Sequence, residues 1–319
     1  MTPPAGNPRS DFAVVIPAYN EAAVVPDLVR ELQATFQRND LRGEILFVDD
    51  GSTDGTGDLA VAEAAGWPAF RVLRHRNNRG KTEAMVTAAG STDATWLVLF
   101  DADLQHGTEE IPRFLDTLAE GWDIVTGRKV GSYDKRAVSS VYNRLSRLIF
   151  KVPVSDLNSM KAFRREILDE VPLRHDWHRF FVVLAFSRGY TVKEIDIELL
   201  PRRAGESKYS GRSRIMVGVL DLLSVWFLLL FSRKPLLLFG SLGGGLLAAG
   251  IATGLVAFYM RFVLEQGFRP LLYLVILLVT VGVILIGFGL VAEMMAQVRE
   301  EVDHLRRELR RREEDPHGS

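Results

Sequence analysis

No cysteine occurs among the 319 residues, which excludes disulfides, iron–sulfur clusters and thiolate nucleophiles and suits a domain facing a reducing compartment. Any metal must then be held by oxygen or imidazole. Bulk charge is also missing: 39 basic residues stand against 40 acidic ones, so no overall field draws in nucleic acid, and no nucleic-acid partner is expected. Residues 1–10 lack the apolar core of a secretory signal, so a disordered leader and a cytoplasmic first domain are expected. The most informative absence is local. No charged residue lies between Lys234 and Arg261, or between Arg269 and Glu293, and each gap exceeds the ~20 apolar residues that cross a bilayer as a helix.

Two transmembrane helices follow, 235–260 and 270–292, joined by a short loop. A buried hairpin in a soluble protein is the rival reading, which two runs of this length disfavour. Arg233 and Lys234 precede the first helix, and Arg299, Arg306, Arg307, Arg310, Arg311 and Arg312 follow the second. The positive-inside tendency places both ends in the cytoplasm. Residues 293–319 read as a charged cytoplasmic helix and tail.

Between positions 11 and 210 short apolar runs alternate with longer amphipathic ones. Strands are predicted at Phe12 to Ile16, Ile45 to Val48, Phe70 to Leu73, Trp96 to Phe100, Ile124 to Thr126 and Val192 to Ile197, and helices at Ala23 to Phe36, Gly57 to Ala65 and Thr82 to Ala89. This alternation defines an α/β, Rossmann-like domain with several parallel strands. Ligands of such sheets sit beyond the carboxyl ends of the strands. Three strand ends carry polar clusters there: Pro17 to Glu21, Asp49 to Asp54, and Asp101 to His106.

Asp101 and Asp103, with Gln105 next in step, offer the hard oxygen ligands that Mg²⁺ or Mn²⁺ uses to bridge a nucleotide diphosphate. A strand-ending acidic turn is the other reading of an isolated Asp-x-Asp. Ser52, Thr53 and Asp54 suit a helix cap, whereas Asp50 is placed to accept hydrogen bonds from a nucleobase or ribose. Arg79 and Lys81, with Gly80 between them, offer cationic contacts to a diphosphate, a solvated loop being the other reading. His175 and His178 have metal-ligand spacing, but without a neighbouring cysteine a structural or acceptor-loop role is preferred.

The succession Val-Val-Ile-Pro-Ala-Tyr-Asn-Glu (14–21), Val-Asp-Asp-Gly-Ser-Thr-Asp-Gly-Thr (48–56), Asn-Arg-Gly-Lys (78–81) and Asp-Ala-Asp-Leu-Gln (101–105) resembles the family-2 glycosyltransferases of the GT-A fold. Trp177 to Phe180 and Pro201 to Tyr209 resemble the polyprenyl-phosphate branch, which includes dolichol-phosphate mannose synthases and undecaprenyl-phosphate glucosyltransferases. The resemblance covers roughly 12–240. It implies that Pro17, Tyr19, Glu21, Asp50 and Lys81 line the nucleotide pocket and that Asp101, Asp103 and Gln105 hold a divalent metal. It also implies an inverting, single-displacement transfer of one hexose from a nucleotide-sugar, UDP-glucose or GDP-mannose foremost, to a polyprenyl phosphate. Met160 departs from the small residue usual in relatives, and this bears on the sugar pocket.

The acceptor phosphate has a second pKa of about 6, so its ionised oxygen attacks without a dedicated base. Cationic placement is what it needs. Arg128, Arg202 and Lys208 are the candidates, with Arg136 beside them and Lys129 and Lys135 ranked lower; a solvated basic face is the alternative for each. Residues 211–234 hold an apolar run with Asp221 and flanking cations, which reads as an interfacial helix against the membrane lipid. Glycines at 240 and 244, and at 250 and 254, have close-packing spacing. Val298, Val302, Leu305 and Leu309 form a short heptad seam, from which a homo-oligomer as large as a tetramer is expected. Two other functions share these features: a processive polysaccharide synthase, whose Gln-x-x-Arg-Trp motif does not occur, and a non-catalytic nucleotide-sugar-binding scaffold, which intact carboxylates disfavour.

Overall fold

A computed structural model describes residues 7–130, 152–154, 156–157, 159–171, 173, 177–201 and 235–314. Arg136, His175, Arg202, Lys208 and the expected interfacial helix lie outside the described residues. The chain divides into two compact units, Met1–Leu220 and Asp221–Ser319.

The first unit is built on one seven-stranded sheet. Its strands are β1 (Phe12–Ala18), β2 (Glu44–Asp49), β3 (Phe70–Arg74), β4 (Trp96–Leu99), β5 (Ile124–Val130), β6 (Lys161–Arg164) and β7 (Val192–Glu198), in the order β3-β2-β1-β4-β6-β5-β7. All neighbours are parallel except β6, which runs antiparallel to both β4 and β5. Helices α1 (Val25–Arg38), α2 (Thr56–Glu63), α3 (Lys81–Ala89), α4 (Glu110–Ala119), α5 (Glu166–Glu170) and α6 (Phe181–Ser187) connect the strands. β1 reads as an unbroken apolar run because helices cover both faces of the sheet, and Val14, Val15 and Ile16 are fully buried. In α1 a proline near the first position starts the helix, and Leu28, Val29, Leu32 and Phe36 form its buried stripe. Leu28 and Leu32 are both 0% exposed, so each contributes roughly 1.5–3 kcal/mol.

The six strands expected from sequence are all present; β6 was not expected. Its sequence, Lys-Ala-Phe-Arg, looks polar, yet all four residues are buried. Arg164 is accepted in the interior because Asp123 pairs with it at 3.1 Å and the Trp96 ring lies 5.6 Å beneath its guanidinium. Asp123 also accepts from the backbone N–H and the hydroxyl of Thr191 at 2.8 and 2.7 Å. This carboxylate thereby joins the entrances to β5 and β7 to the end of β6.

The second unit is a hairpin of α7 (Pro235–Phe262) and α8 (Arg269–Glu314). Both helices are long and apolar enough to cross a membrane, and only 11% of each apolar window is buried. Leu255, Phe258, Tyr273 and Phe288 are more than half exposed, the distribution expected of helices solvated by lipid. The helices approach closely at Gly243 and Gly282: a Cβ on Gly243 would lie 2.6 Å from the Gly282 carbonyl oxygen. Of the glycines singled out by spacing, Gly250 lies in this contact, while Gly244 has open space around it. Glu293 accepts a hydrogen bond from the Leu236 N–H at 3.1 Å, satisfying one free donor at the start of α7. Helix α8 continues without a break from the second apolar segment into the charged tail.

Candidate active site

The C-terminal ends of β1, β2 and β4 lie side by side, with Ala18 opposite Asp49 and Val15 opposite Leu99. The loops that follow are stitched together. Asn20 N–H donates to Ser52 Oγ at 3.0 Å, Glu21 N–H to Thr56 Oγ1 at 2.9 Å, and Thr53 N–H to Asn20 Oδ1 at 2.9 Å. Pro17, Tyr19 and Glu21 are all partly exposed on this rim. Gly51 holds φ at +73°, and a Cβ there would lie 2.5 Å from the Asn77 carbonyl carbon. Only glycine meets both demands, which lets the 77–80 loop close over the end of β2.

Asp50 organises that loop. Its carboxylate, 3% exposed, accepts from the Arg79 N–H at 2.9 Å and the Gly80 N–H at 2.7 Å, and sits 2.6 Å from His75 Nδ1. The other ring nitrogen of His75 lies 2.9 Å from Thr87 Oγ1 on α3. Both carboxylate oxygens are therefore engaged by the protein, and they fix the point at which Lys81 starts α3. His75 is a member of this arrangement that sequence reasoning passed over.

Lys81 extends from that helix start to contact Asp101 Oδ1 through Nζ, with the two side chains 25% and 37% exposed. Burial alone would raise the Asp101 carboxyl, but Lys81, with His106 and Lys129, holds it well below the usual carboxylate range. Asp101 is therefore ionised throughout the physiological range. Asp103 Oδ1 accepts from the Gln105 N–H at 3.2 Å, across Leu104 at φ +52°. Thus Asp101, Asp103 and Gln105 occupy one short turn at the open end of β4.

Two further groups complete the cluster. Lys161 on β6 is 1% exposed and donates to the Leu157 carbonyl at 3.2 Å. Burial, helped by Lys81 and Lys129 and opposed by Asp101 and Asp156, lowers its pKa from 10.5 to about 7. His106 is buried beside the two aspartates, its pKa lowered by burial against the pull of Asp101, and its Nδ1 has no hydrogen-bond partner among the described residues. A lysine inside a short strand and a histidine three residues past Asp103 were visible in the sequence; what was missing was the antiparallel pairing that brings β6 beside β4.

Arg128 and Lys129 show how the pleat decides. Arg128 forks onto Asp196 of β7 at 2.6 and 2.8 Å, away from the carboxylates. Lys129, the residue ranked lower, points to the opposite side, pairs with Asp156 at 3.7 Å and contributes to the field at Asp101. Met160 is 2% exposed and packs in the hydrophobic core. His178 N–H donates to Thr82 Oγ1 at 3.2 Å, and its ring Nδ1 lies 3.4 Å from the same hydroxyl. That places it against α3.

A mixed sheet of this order, with nucleotide-type loops and paired carboxylates at the end of β4, defines a glycosyltransferase of the GT-A fold. Residues 13–182 match the family described as glycosyl transferase family 2, and the chain belongs to that family. Among proteins similar to it, the undecaprenyl-phosphate 4-deoxy-4-formamido-L-arabinose transferase of Klebsiella pneumoniae (strain 342) is 29% identical over 304 residues, covering 92% of this chain and 91% of that one. The dodecaprenyl-phosphate galacturonate synthase of Rhizobium johnstonii is 31% identical over 299 residues, covering 90% and 88%. Among solved structures, glucosyl-3-phosphoglycerate synthase from Mycobacterium tuberculosis, in complex with Mn²⁺, UDP and glucosyl-3-phosphoglycerate, superposes with a TM-score of 0.55 at 20% identity. It covers 69% of this chain and 80% of its own. The fold is shared with that enzyme.

Proposed function

We propose that this chain transfers one glycosyl group from a nucleoside-diphosphate sugar to a polyprenyl phosphate at the cytoplasmic face of a membrane. The observation that carries this reading is the pairing, in one chain, of strand-end carboxylates held ionised by Lys81 with a lipid-grade helical hairpin. Similarity to polyprenyl-phosphate sugar transferases over nine tenths of the length, hairpin included, supports it.

The site suits a divalent cation. Asp101 and Asp103 present hard oxygen donors at a partly exposed rim, and among the described residues no group of three or more His, Cys, Asp or Glu is arranged to hold a metal by itself. Two carboxylates with positions left for phosphate oxygens is the arrangement Mg²⁺ or Mn²⁺ accepts. A cation bound there supplies charge neutralisation for the departing diphosphate. The chain's own residues do the rest: the Pro17 to Glu21 and Asp49 to Asp54 loops seat the nucleoside, and Lys81 and Lys129 add positive charge beside the diphosphate. Arg202 and Lys208 are assigned to the acceptor phosphate. That phosphate is already ionised at neutral pH, its second pKa being about 6, so attack inverts the anomeric carbon in one displacement without a dedicated base.

The hairpin keeps the enzyme where the acceptor resides, since a polyprenyl chain leaves the bilayer at ~0.8 kcal/mol per CH₂. Val298, Val302 and Leu305 are 60%, 41% and 52% exposed on α8, which supports self-association through the tail. UDP-glucose and GDP-mannose head the donor list, and the relatives add uronic and amino sugars. The test is organic-phase label from polyprenyl phosphate with wild type, with chelator and with Asp103→Ala. Loss of about 100-fold or more is expected in both perturbed arms, equivalent to ~2.7 kcal/mol. Undiminished turnover by Asp103→Ala in folded, membrane-inserted protein refutes the metal assignment.

A further inference from the structure

Lys81 already occupies the carboxylate on which a cation would bind. Its Nζ contacts Asp101 Oδ1, and its helix start is pinned by the Gly80 N–H donating to Asp50 at 2.7 Å. The contact sits at a rim, with the side chains 25% and 37% exposed, so solvent and ligands reach it. Lys129 and Lys161 lie in the same charged cluster. A lone divalent ion approaching Asp101 therefore meets an ammonium already on its ligand, with Lys129 close by, a repulsion that added negative charge offsets. A diphosphate brings that charge and gives the flexible four-carbon arm of Lys81 a new anionic partner.

We infer that Lys81 is a stand-in counter-ion for Asp101, displaced jointly by metal and nucleoside diphosphate, so that the site takes up its cation with the nucleotide rather than before it. This rests on the metal-dependent reading above. Lys81 is then a positioning residue with two stations: Asp101 before nucleotide binds and the diphosphate afterwards.

The test is Mn²⁺ binding to the full-length protein in detergent, followed by the electron paramagnetic resonance of free Mn²⁺, with Mn²⁺ alone, with UDP and with GDP. Wild type is expected to bind Mn²⁺ alone weakly and at least about tenfold more tightly with one of the nucleotides, while Lys81→Met tightens bare Mn²⁺ binding by about tenfold and loses most of the nucleotide gain. Lys81→Arg, which keeps the charge, is expected to stay weak in bare Mn²⁺ binding. Equal bare Mn²⁺ affinity in wild type and Lys81→Met overturns the inference while leaving the metal reading intact, and so does an arginine variant that behaves like methionine. Wild type that binds no Mn²⁺ with either nucleotide overturns both.

Discussion

Asp50→Asn is the substitution whose consequence follows most directly from the geometry. The native carboxylate receives the N–H groups of Arg79 and Gly80, at 2.9 and 2.7 Å, on separate oxygens, with His75 Nδ1 2.6 Å from the first. An amide retains one acceptor oxygen and turns an NH₂ toward whichever donor lay on the other. One partly buried backbone N–H is left without its partner, which costs about 1–3 kcal/mol, and the surviving bonds lose their charge assistance. The loop from His75 to Lys81 is thus destabilised by roughly 2–4 kcal/mol, and Lys81 no longer meets Asp101 at a fixed point. If the cost falls on donor capture, kcat/KM for the nucleotide-sugar drops about 30- to 1,000-fold. Steady-state kinetics with varied donor, alongside far-ultraviolet circular dichroism to verify the fold, gives the answer. A change of less than about threefold would refute the clasp.

Two further outcomes concern the groups buried behind the site. Asp123→Ala strands Arg164, 5% exposed, in the interior and frees Thr191; a loss of about 3–5 kcal/mol in denaturant unfolding is expected, and a loss below 1 kcal/mol would mean that the Glu166 contact suffices. Lys161 has a folded pKa of about 7 against 10.5 when free. Between those values the unfolded chain binds a proton that the folded one does not, so stability from this group rises with pH across that window and is at its lowest below about 7. Lys161→Met removes the penalty: the variant should be more stable than wild type by about 2–4 kcal/mol at pH 7, converging on it towards pH 10. Paired unfolding curves at several pH values measure this, and a variant that is less stable at pH 7 contradicts it.

What the sequence disclosed and what it hid separate along the line between local and long-range pairing. β1, β2 and β4 announce themselves as apolar runs bounded by polar turns, so the rim holding Pro17, Asp50, Asp101 and Asp103 was legible. β6 was not, because Lys161 and Arg164 look like surface residues until Leu157 and Asp123 are seen to satisfy them. The choice between Arg128 and Lys129 hangs on the same register. Thr126 faces Lys161 on one neighbour and Arg128 faces Asp196 on the other, and no local property of Thr-Gly-Arg-Lys encodes that. Asp50 was marked for a nucleoside role, and its partners within the protein come from a loop about thirty residues onward, which the close approach at Gly51 makes possible. In the hairpin, glycine spacing pointed to close packing, while the close approach of Gly243 to Gly282 is set by how the two helices align.

The proposed acceptor is a polyprenyl phosphate, which receives one sugar. The purified full-length enzyme should be given labelled UDP-glucose, GDP-mannose, UDP-N-acetylhexosamines and UDP-uronic acid in turn, each with undecaprenyl phosphate or with water-soluble phosphate acceptors. Label that enters the organic phase as a single monoglycosylated lipid, with one preferred donor and only when divalent metal and lipid phosphate are both present, is the predicted result. Label that stays in the aqueous phase as a sugar transferred to a small acceptor, or that grows into a polymer, would contradict it.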